Sequence, residues 1–298
     1  MFCPQEAYAG FIDRTPESID AGDTTFRIAP AVRGPNPASG RSFKAILGTP
    51  IRPDAETYLK RGVGWTEHSS DGANDLDLTF GLVRGNEGTE TVCWRSDGTF
   101  SYHSGRGVGS KPVGMSAEEA VETARAYLDE RGELPDDAVL ASVNEVRYER
   151  WTDLESDDVQ HDSDVVQYFV RFIQDAGGAF VEGSGVGIVV TVGPDGVDDV
   201  HKKWFELTPV DGVVVEAGTA SAALRNILSH ARSQRDLTSE ATISSLDVVL
   251  HADASASGGF TLEPAWRAEL DSGQALYGDA VSGAPVARPG RAYVELNQ

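Results

Sequence analysis

Residues Met115–Val146 read MSAEEAVETARAYLDERGELPDDAVLASVNEV. Ser116 followed by Glu119 forms a capping box: the serine hydroxyl accepts the Glu119 N–H, and the Glu119 carboxylate accepts the Ser116 N–H. Ala117, Ala120, Val121, Ala124 and Leu128 then recur on one helical face, with Tyr127 beside them. Gly132 stands where a left-handed C′ residue is wanted, and Pro135 blocks a restart. A strand pattern begins at Val139. The unit is therefore an amphipathic helix feeding a strand, and it carries no catalytic pattern.

The surroundings of that unit are strongly acidic. The 298-residue chain has a net charge of −22 and is 40% hydrophobic, enough for packed cores in two or three domains. So large a negative charge argues against nucleic acid or an anionic membrane as partner, because like charges repel over a Debye length. Lysine occurs only at 44, 60, 111, 202 and 203, so arginine carries most of the positive charge. This acid-rich, lysine-poor composition fits a high-GC genome or a salt-loving host. Cys3 and Cys93 are the two cysteines, and they allow one disulfide or two thiols. No apolar run of 18 residues is present, so no membrane-spanning helix is expected. The start MFCPQEAYAG has neither a basic nor an apolar leader segment, which leaves a cytosolic protein or a removed signal. Cys3 raises a lipid anchor, although the small-residue motif that should precede such a cysteine is missing.

Outward from the helix, residues 1–56 are punctuated by seven prolines and read as irregular, apart from a short strand at Thr24–Ile28. Residues 76–84 alternate as a strand, and 90–95 with 99–103 form a hairpin about Ser96-Asp97-Gly98. A glycine-rich linker leads into the helix. Downstream, Val139–Trp151 alternates weakly, and DLESDDVQHDSD reads as an acidic loop. VVQYFVRFIQ, Val165–Gln174, is the strongest strand signal of the chain. Gly185–Val192, a turn at Gly193-Pro194-Asp195-Gly196 and a strand Val197–Leu207 follow. The pattern then recurs about 100 residues on: Thr219 caps a helix Ala220–Ser233, then come strands at Ile243–Ala252, Phe260–Leu270 and Gln274–Ala280. The expected class is α+β, with tandem modules of one helix on an antiparallel sheet and a strand-rich N-terminal region. The divisions fall at 1–110, 111–212 and 213–298.

The two ends of this pattern resemble a known family. MSAEEAVETARAYLDERGELPDDAVL is similar to the opening helix of PepSY-like and YycI-like extracytoplasmic modules. LEPAWRAELDSGQALYGDAVSGAPV is similar to their closing hairpin, with Pro264, Trp266, Asp271, Gly273, Tyr277, Asp279, Ala280 and Gly283 in matching places. Gly278 departs from the usual β-branched residue and Ser282 from threonine. The resemblance implies a non-catalytic module outside the membrane that regulates a protease or sensor kinase by contact. Trp266 and Tyr277 are expected to face each other on adjacent strands as a packing pair.

Candidate chemistry is sparse. Ser184 in EGSGVG lacks the frame of a nucleophile elbow. GRGVGSK, Gly105–Lys111, lacks the order of a phosphate-binding loop. His68, His103, His161, His201, His230 and His251 include no short-spaced metal pair. Cys93 reads as a core or disulfide cysteine. Two acidic loops could hold calcium, a hard ion that wants several oxygens. The first offers Asp71, Asn74, Asp75 and Asp77, with Gly72 permitting a sharp turn; the second offers Glu155, Asp157, Asp158, Asp162 and Asp164. Trp65, Trp94, Trp151, Trp204 and Trp266 sit mostly on strand patterns and read as core or interdomain packing.

These observations favour a non-enzymatic, extracytoplasmic interaction or regulatory protein that binds a protein partner through a sheet face or edge. VVQYFVRFIQ and the C-terminal hairpin are the expected surfaces. The alternative is a hydrolase or metal-dependent enzyme whose site gathers His201, His251 and two acids from distant strands. A self-assembling surface-layer or capsid-associated protein is a third reading.

Overall fold

The computed structural model describes residues 18–21, 24–29, 41–51, 66–69, 79–84, 90–95, 98–106, 109–152, 160–183, 185–231, 240–254, 260–272, 274–284 and 286. Sixteen strands and two helices of eight residues or more lie among them. The chain is strand-rich, and its class is α+β. It divides into two compact units, each assembled from separated stretches of sequence.

One unit comprises residues 50–175 and 185–205. Its strands are β4 (Thr66–Ser69), β5 (Thr79–Arg84), β6 (Thr91–Trp94), β7 (Phe100–His103), β8 (Ala138–Thr152), β9 (Gln160–Asp175), β11 (Gly187–Gly193) and β12 (Gly196–Lys203). They pair antiparallel throughout, in the order β4-β5-β6-β7-β12-β11-β9-β8. Helix α1 (Ala117–Asp129) lies on one face of this sheet, and Ala120, Val121, Ala124 and Leu128 are buried on it. They pack with Phe100, Tyr102, Tyr168, Val170, Phe172, Ile188 and Trp204. The capping box forms as the sequence dictates: Glu119 N–H donates to Ser116 Oγ at 3.2 Å, and Ser116 N–H donates to Glu119 Oε2 at 2.8 Å. Gly132 takes φ +64° and closes the helix, with Gly132 N–H to the Asp129 carbonyl and Glu133 N–H to that of Leu128. The chain then buries an ion pair, Lys202 Nζ to Glu133 Oε2 at 2.6 Å, with side-chain exposures of 4% and 8%.

The other unit comprises residues 1–49, 176–184 and 206–298. Strands β1 (Ser18–Ala21) and β2 (Thr24–Ile28) form a hairpin. The sheet runs β13 (Phe205–Glu216), β3 (Ser42–Pro50), β15 (Phe260–Leu270), β14 (Glu240–Ala254). β2 and β10 (Phe180–Gly183) both pair parallel to β14, and β16 (Ala275–Asp279) pairs antiparallel to β15. Helix α2 (Ala220–Ala231) buries Ala223, Leu224, Ile227 and Leu228 against Phe26, Ile28, Ile243, Trp266 and Leu276.

Several local expectations change. Residues 160–164 extend β9 rather than loop, because β8 is long enough to pair with them. Within residues 1–56, which read as irregular, β1 and the nine-residue β3 also form. Val197–Leu207 is interrupted at Trp204, and a further strand, β13, runs through Pro209 and Gly212. Pro209 lacks a ladder donor and Gly212 has no side chain to pack, yet an edge strand tolerates both. Trp266 does not face Tyr277: it lies opposite Gly278, and Tyr277 lies opposite Arg267. A shift of one residue puts the two rings on opposite faces of the sheet. Trp266 packs under α2, whereas Tyr277 packs with Val249 and Ala265.

Gly278 has a spatial reason to depart from a β-branched residue. A Cβ there would stand 2.5 Å from Ile227 Cγ1 and 2.8 Å from the Gly283 carbonyl oxygen. Asp279 shapes the following turn by accepting from Ser282 N–H at 2.7 Å and Ser282 Oγ at 2.6 Å, which is the task a threonine hydroxyl would do.

Candidate functional site

Among the described strands, β13 and β8 are open sheet edges. β13 pairs with β3 on one side, and no described strand pairs along its other side. Its sequence, FELTPVDGVVVE, holds three carboxylates, Glu206, Asp211 and Glu216, and no basic residue. All three are exposed, and Val214 between the last two is 60% exposed. The unpaired N–H and C=O groups along an edge strand are a template for a further strand.

β8 is the second open edge. It pairs with β9 alone among the described strands and exposes Val139, Leu140 and Tyr148. It differs from β13 in two ways. The β8–β9 ladder is irregular between Leu140 and Ser142 and between Val146 and Arg147. Its far half carries Glu145, Arg147, Glu149 and Arg150, of which Arg147 Nη2 sits 2.6 Å from Glu145 Oε2. Bulges and mixed charge are the devices that keep an edge from being extended.

VVQYFVRFIQ is not an edge. It lies inside β9, between β8 and β11, so its backbone groups are engaged on both sides. The outer side of the C-terminal hairpin is also occupied: Asp279 N–H donates to the Ala284 carbonyl, and Val286 N–H to that of Tyr277. Of β13 and β8, both open among the described strands, β13 is the one that sequence reasoning passed over. The run Val213–Val215 was the available signal, masked by the proline and glycine before it.

Two polar clusters occupy the sheet faces turned away from the helices. In the unit of α1, the register places Cys93, Ser101 and His201 in one row and Thr91, His103 and Asp199 in the next. His103 Nδ1 is 2.6 Å from Asp199 Oδ1, and the His103 and His201 rings are 5.4 Å apart. Burial first, then the charge of His103, lowers the His201 pKa to about 4, so its ring is neutral near pH 7. Burial raises the pKa of the Cys93 thiol, the opposite of what an activated nucleophile needs. His103 and Asp199 thus form an oriented pair, and the thiol in the neighbouring row is one that burial keeps protonated.

In the unit of α2, Glu182 lies beside His251. Glu182 accepts from Tyr277 Oη at 2.5 Å and sits 3.2 Å from Arg267 Nε, while Arg267 Nη1 reaches Glu269 at 2.9 Å. Burial first, then the Glu182 charge, raises the Tyr277 pKa. His251 is 5% exposed, and its Nε2 has no hydrogen-bond partner among the described residues. His201 and His251 therefore belong to different units, each with its own acidic neighbour.

Asp71, Asn74, Asp75 and Asp77 lie outside the described residues, as do Glu155, Asp157 and Asp158. Asp162 and Asp164 fall on β9. Among the described residues no group of three or more His, Cys, Asp or Glu side chains converges on a common metal position. Cys93 is a free thiol, and Cys3 lies outside the described residues. Trp204 and Trp266 are core residues. No helix is long and apolar enough to cross a membrane among the described residues.

No protein-family model matches the chain, and no curated protein does. Its fold is that of an uncharacterised protein from Eubacterium rectale, with a TM-score of 0.51 at 12% identity over 91% of this chain and 94% of the other. YycH from Bacillus subtilis aligns with a TM-score of 0.43 at 14% identity, over 70% of this chain and 44% of YycH. The C-terminal domain of YpeB from Bacillus megaterium aligns with a TM-score of 0.32 at 9% identity, over 78% of this chain and 91% of that domain. At such identities the Eubacterium protein speaks to fold alone.

Proposed function

We propose that this chain is a non-enzymatic, extracytoplasmic regulatory module that acts by protein–protein contact, and that the contact is made by adding a strand to an open sheet edge. The observation that carries the reading is β13, an edge strand with a 60% exposed valine and no described strand on its outer side. Strand addition gives affinity through main-chain hydrogen bonds and specificity through alternate side chains. The opening-helix and closing-hairpin motifs support a PepSY-like assignment, and with it a place outside the membrane. The same motifs support reading residues 111–212 and 213–298 as tandem helix-plus-sheet modules that follow a strand-rich N-terminal region, 1–110.

A photo-crosslinking residue at Val214, compared with one at exposed Glu122 on α1, tests the contact in the native cell. A discrete adduct at 214 alone supports the reading, and identical adduct patterns at both positions refute it. Fractionation with protease protection of intact cells tests the location. Calcium at Asp71, Asn74, Asp75 and Asp77 is supported by four oxygen donors within seven residues around a glycine. Calorimetric titration with calcium, flat for the Asp75→Asn variant, is the check.

The short His103–Asp199 contact favours one second reading, an enzyme that uses His103 as its base. A hydrolase screen with and without divalent metal decides it: turnover abolished by His103→Ala supports it, and turnover unchanged by that substitution removes it.

A further inference from the structure

The two open edges are not equivalent, and their difference specifies a partner. β8 alternates Glu145, Arg147, Glu149 and Arg150, so its charges cancel, and its ladder is bulged twice. β13 has carboxylates at 206, 211 and 216, no compensating base in twelve residues, and an exposed aliphatic side chain between two of them.

A second copy of the chain fits β13 poorly. Antiparallel self-pairing centred on Asp211 sets Asp211 against its own symmetry mate and Glu206 against Glu216. Any other register still gathers six carboxylates and no base on a two-stranded ribbon. Like charges directly opposite on paired strands are destabilising. The same carboxylates, two on the face of Val214 and Asp211 on the other, favour a cation-bearing strand, and the net charge of −22 speeds its encounter.

We propose that β13 receives an extended, lysine- or arginine-bearing segment of a partner protein. Side chains alternate along a strand, so Glu206, Val214 and Glu216 share one face and Asp211 lies on the other. The segment sets basic side chains beside Glu206 and Glu216 with an aliphatic one over Val214 between them, and a further basic one beside Asp211. This inference rests on the strand-addition reading above and names the partner's chemistry.

The test uses the full chain and three fluorescent nine-residue peptides, in which pairs of valines alternate with pairs of lysines, serines or glutamates so that each face carries both kinds of side chain, followed by anisotropy. The valine–lysine peptide is expected to bind, and the valine–glutamate peptide not to bind. The triple variant Glu206→Gln, Asp211→Asn, Glu216→Gln is expected to weaken the valine–lysine complex about tenfold. Val214→Lys, which leaves the backbone intact, is expected to weaken it at least as much, and Val139→Lys on β8 to leave it unchanged. Equal affinity for the triple variant overturns the inference, as does loss on Val139→Lys in place of Val214→Lys. Equal binding of the valine–serine peptide, still abolished at Val214, overturns the cationic partner and leaves strand addition standing. Binding of none of the three peptides overturns both.

Discussion

Adding one methyl group at Gly278 tests how tightly β16 is held beneath α2. The ideal Cβ of Gly278→Ala lies 2.5 Å from Ile227 Cγ1, 3.0 Å from Ile227 Cδ1 and 2.8 Å from the Gly283 carbonyl oxygen. Ile227 can change rotamer at a cost, but the Gly283 oxygen is backbone in a turn with φ +67° that Asp279 fixes. Overpacking a core site costs about 1–3 kcal/mol. Replacing glycine in a strand returns about 0.5–1 kcal/mol of unfolded-state entropy. With two contacts below 3.0 Å, the net loss should be about 2 kcal/mol. For a folding unit of this size the melting temperature should fall about 4–8 °C. Urea and thermal melts of the variant are the measurement.

Ile227→Ala provides the internal control. Alone it should cost about 2–5 kcal/mol through the cavity it leaves. In the Gly278→Ala background it should cost less, with a favourable coupling of about 1 kcal/mol. The relief is incomplete because the carbonyl contact persists. A Gly278→Ala variant as stable as the parent, or two losses that simply add, would refute the packing argument.

Three further expectations follow from buried polar groups and the helix cap. Lys202→Met removes the ammonium that neutralises the buried Glu133 carboxylate and should cost about 3–5 kcal/mol, whereas the double change with Glu133→Leu should recover most of it in urea melts. His201 has a folded pKa near 4 against an ordinary 6.5. Its contribution is complete above about pH 6.5 and fades as pH falls toward 4, by roughly 3 kcal/mol at most. Stability of the parent between pH 7 and pH 4.5 should therefore fall more steeply than that of His201→Gln. Ser116→Ala removes one half of the capping box and should lower stability by about 1 kcal/mol, read by chemical denaturation.

Local chemistry was legible where a residue type has one task. Ser116, Glu119 and Gly132 mark the two ends of α1, and its buried face follows the 3.6-residue period. The β11–β12 hairpin sits where Pro194 and Asp195 turn the chain. What sequence reasoning missed depends on partners far along the chain. β13 contains proline and glycine and is a strand only because β3 lies beside it. The rows Cys93–Ser101–His201 and Glu182–His251 exist through registers between strands remote in sequence. The faces of Trp266 and Tyr277 turned on a single residue of offset, which composition does not encode. The candidate edge was illegible for the same reason: whether a strand is central or terminal is a property of the assembled sheet.

The parallel pairing of β2 with β14, and the pairing of β3 with β15, also bear on how this protein is made. Pro50 ends β3, and Phe260, which begins its partner, leaves the ribosome roughly 200 residues later. At about 5–20 residues per second that is a wait of about 10–40 s. The unit containing α1 is complete in sequence by Phe205 and can fold during that interval. Meanwhile β2 lacks β14 and β3 lacks β15, and Phe26, Ile28 and Ile46, all buried in the finished protein, stay wet until those strands have been made. Nascent-chain proteolysis at staged lengths should find the middle of the chain protected long before either of its flanks.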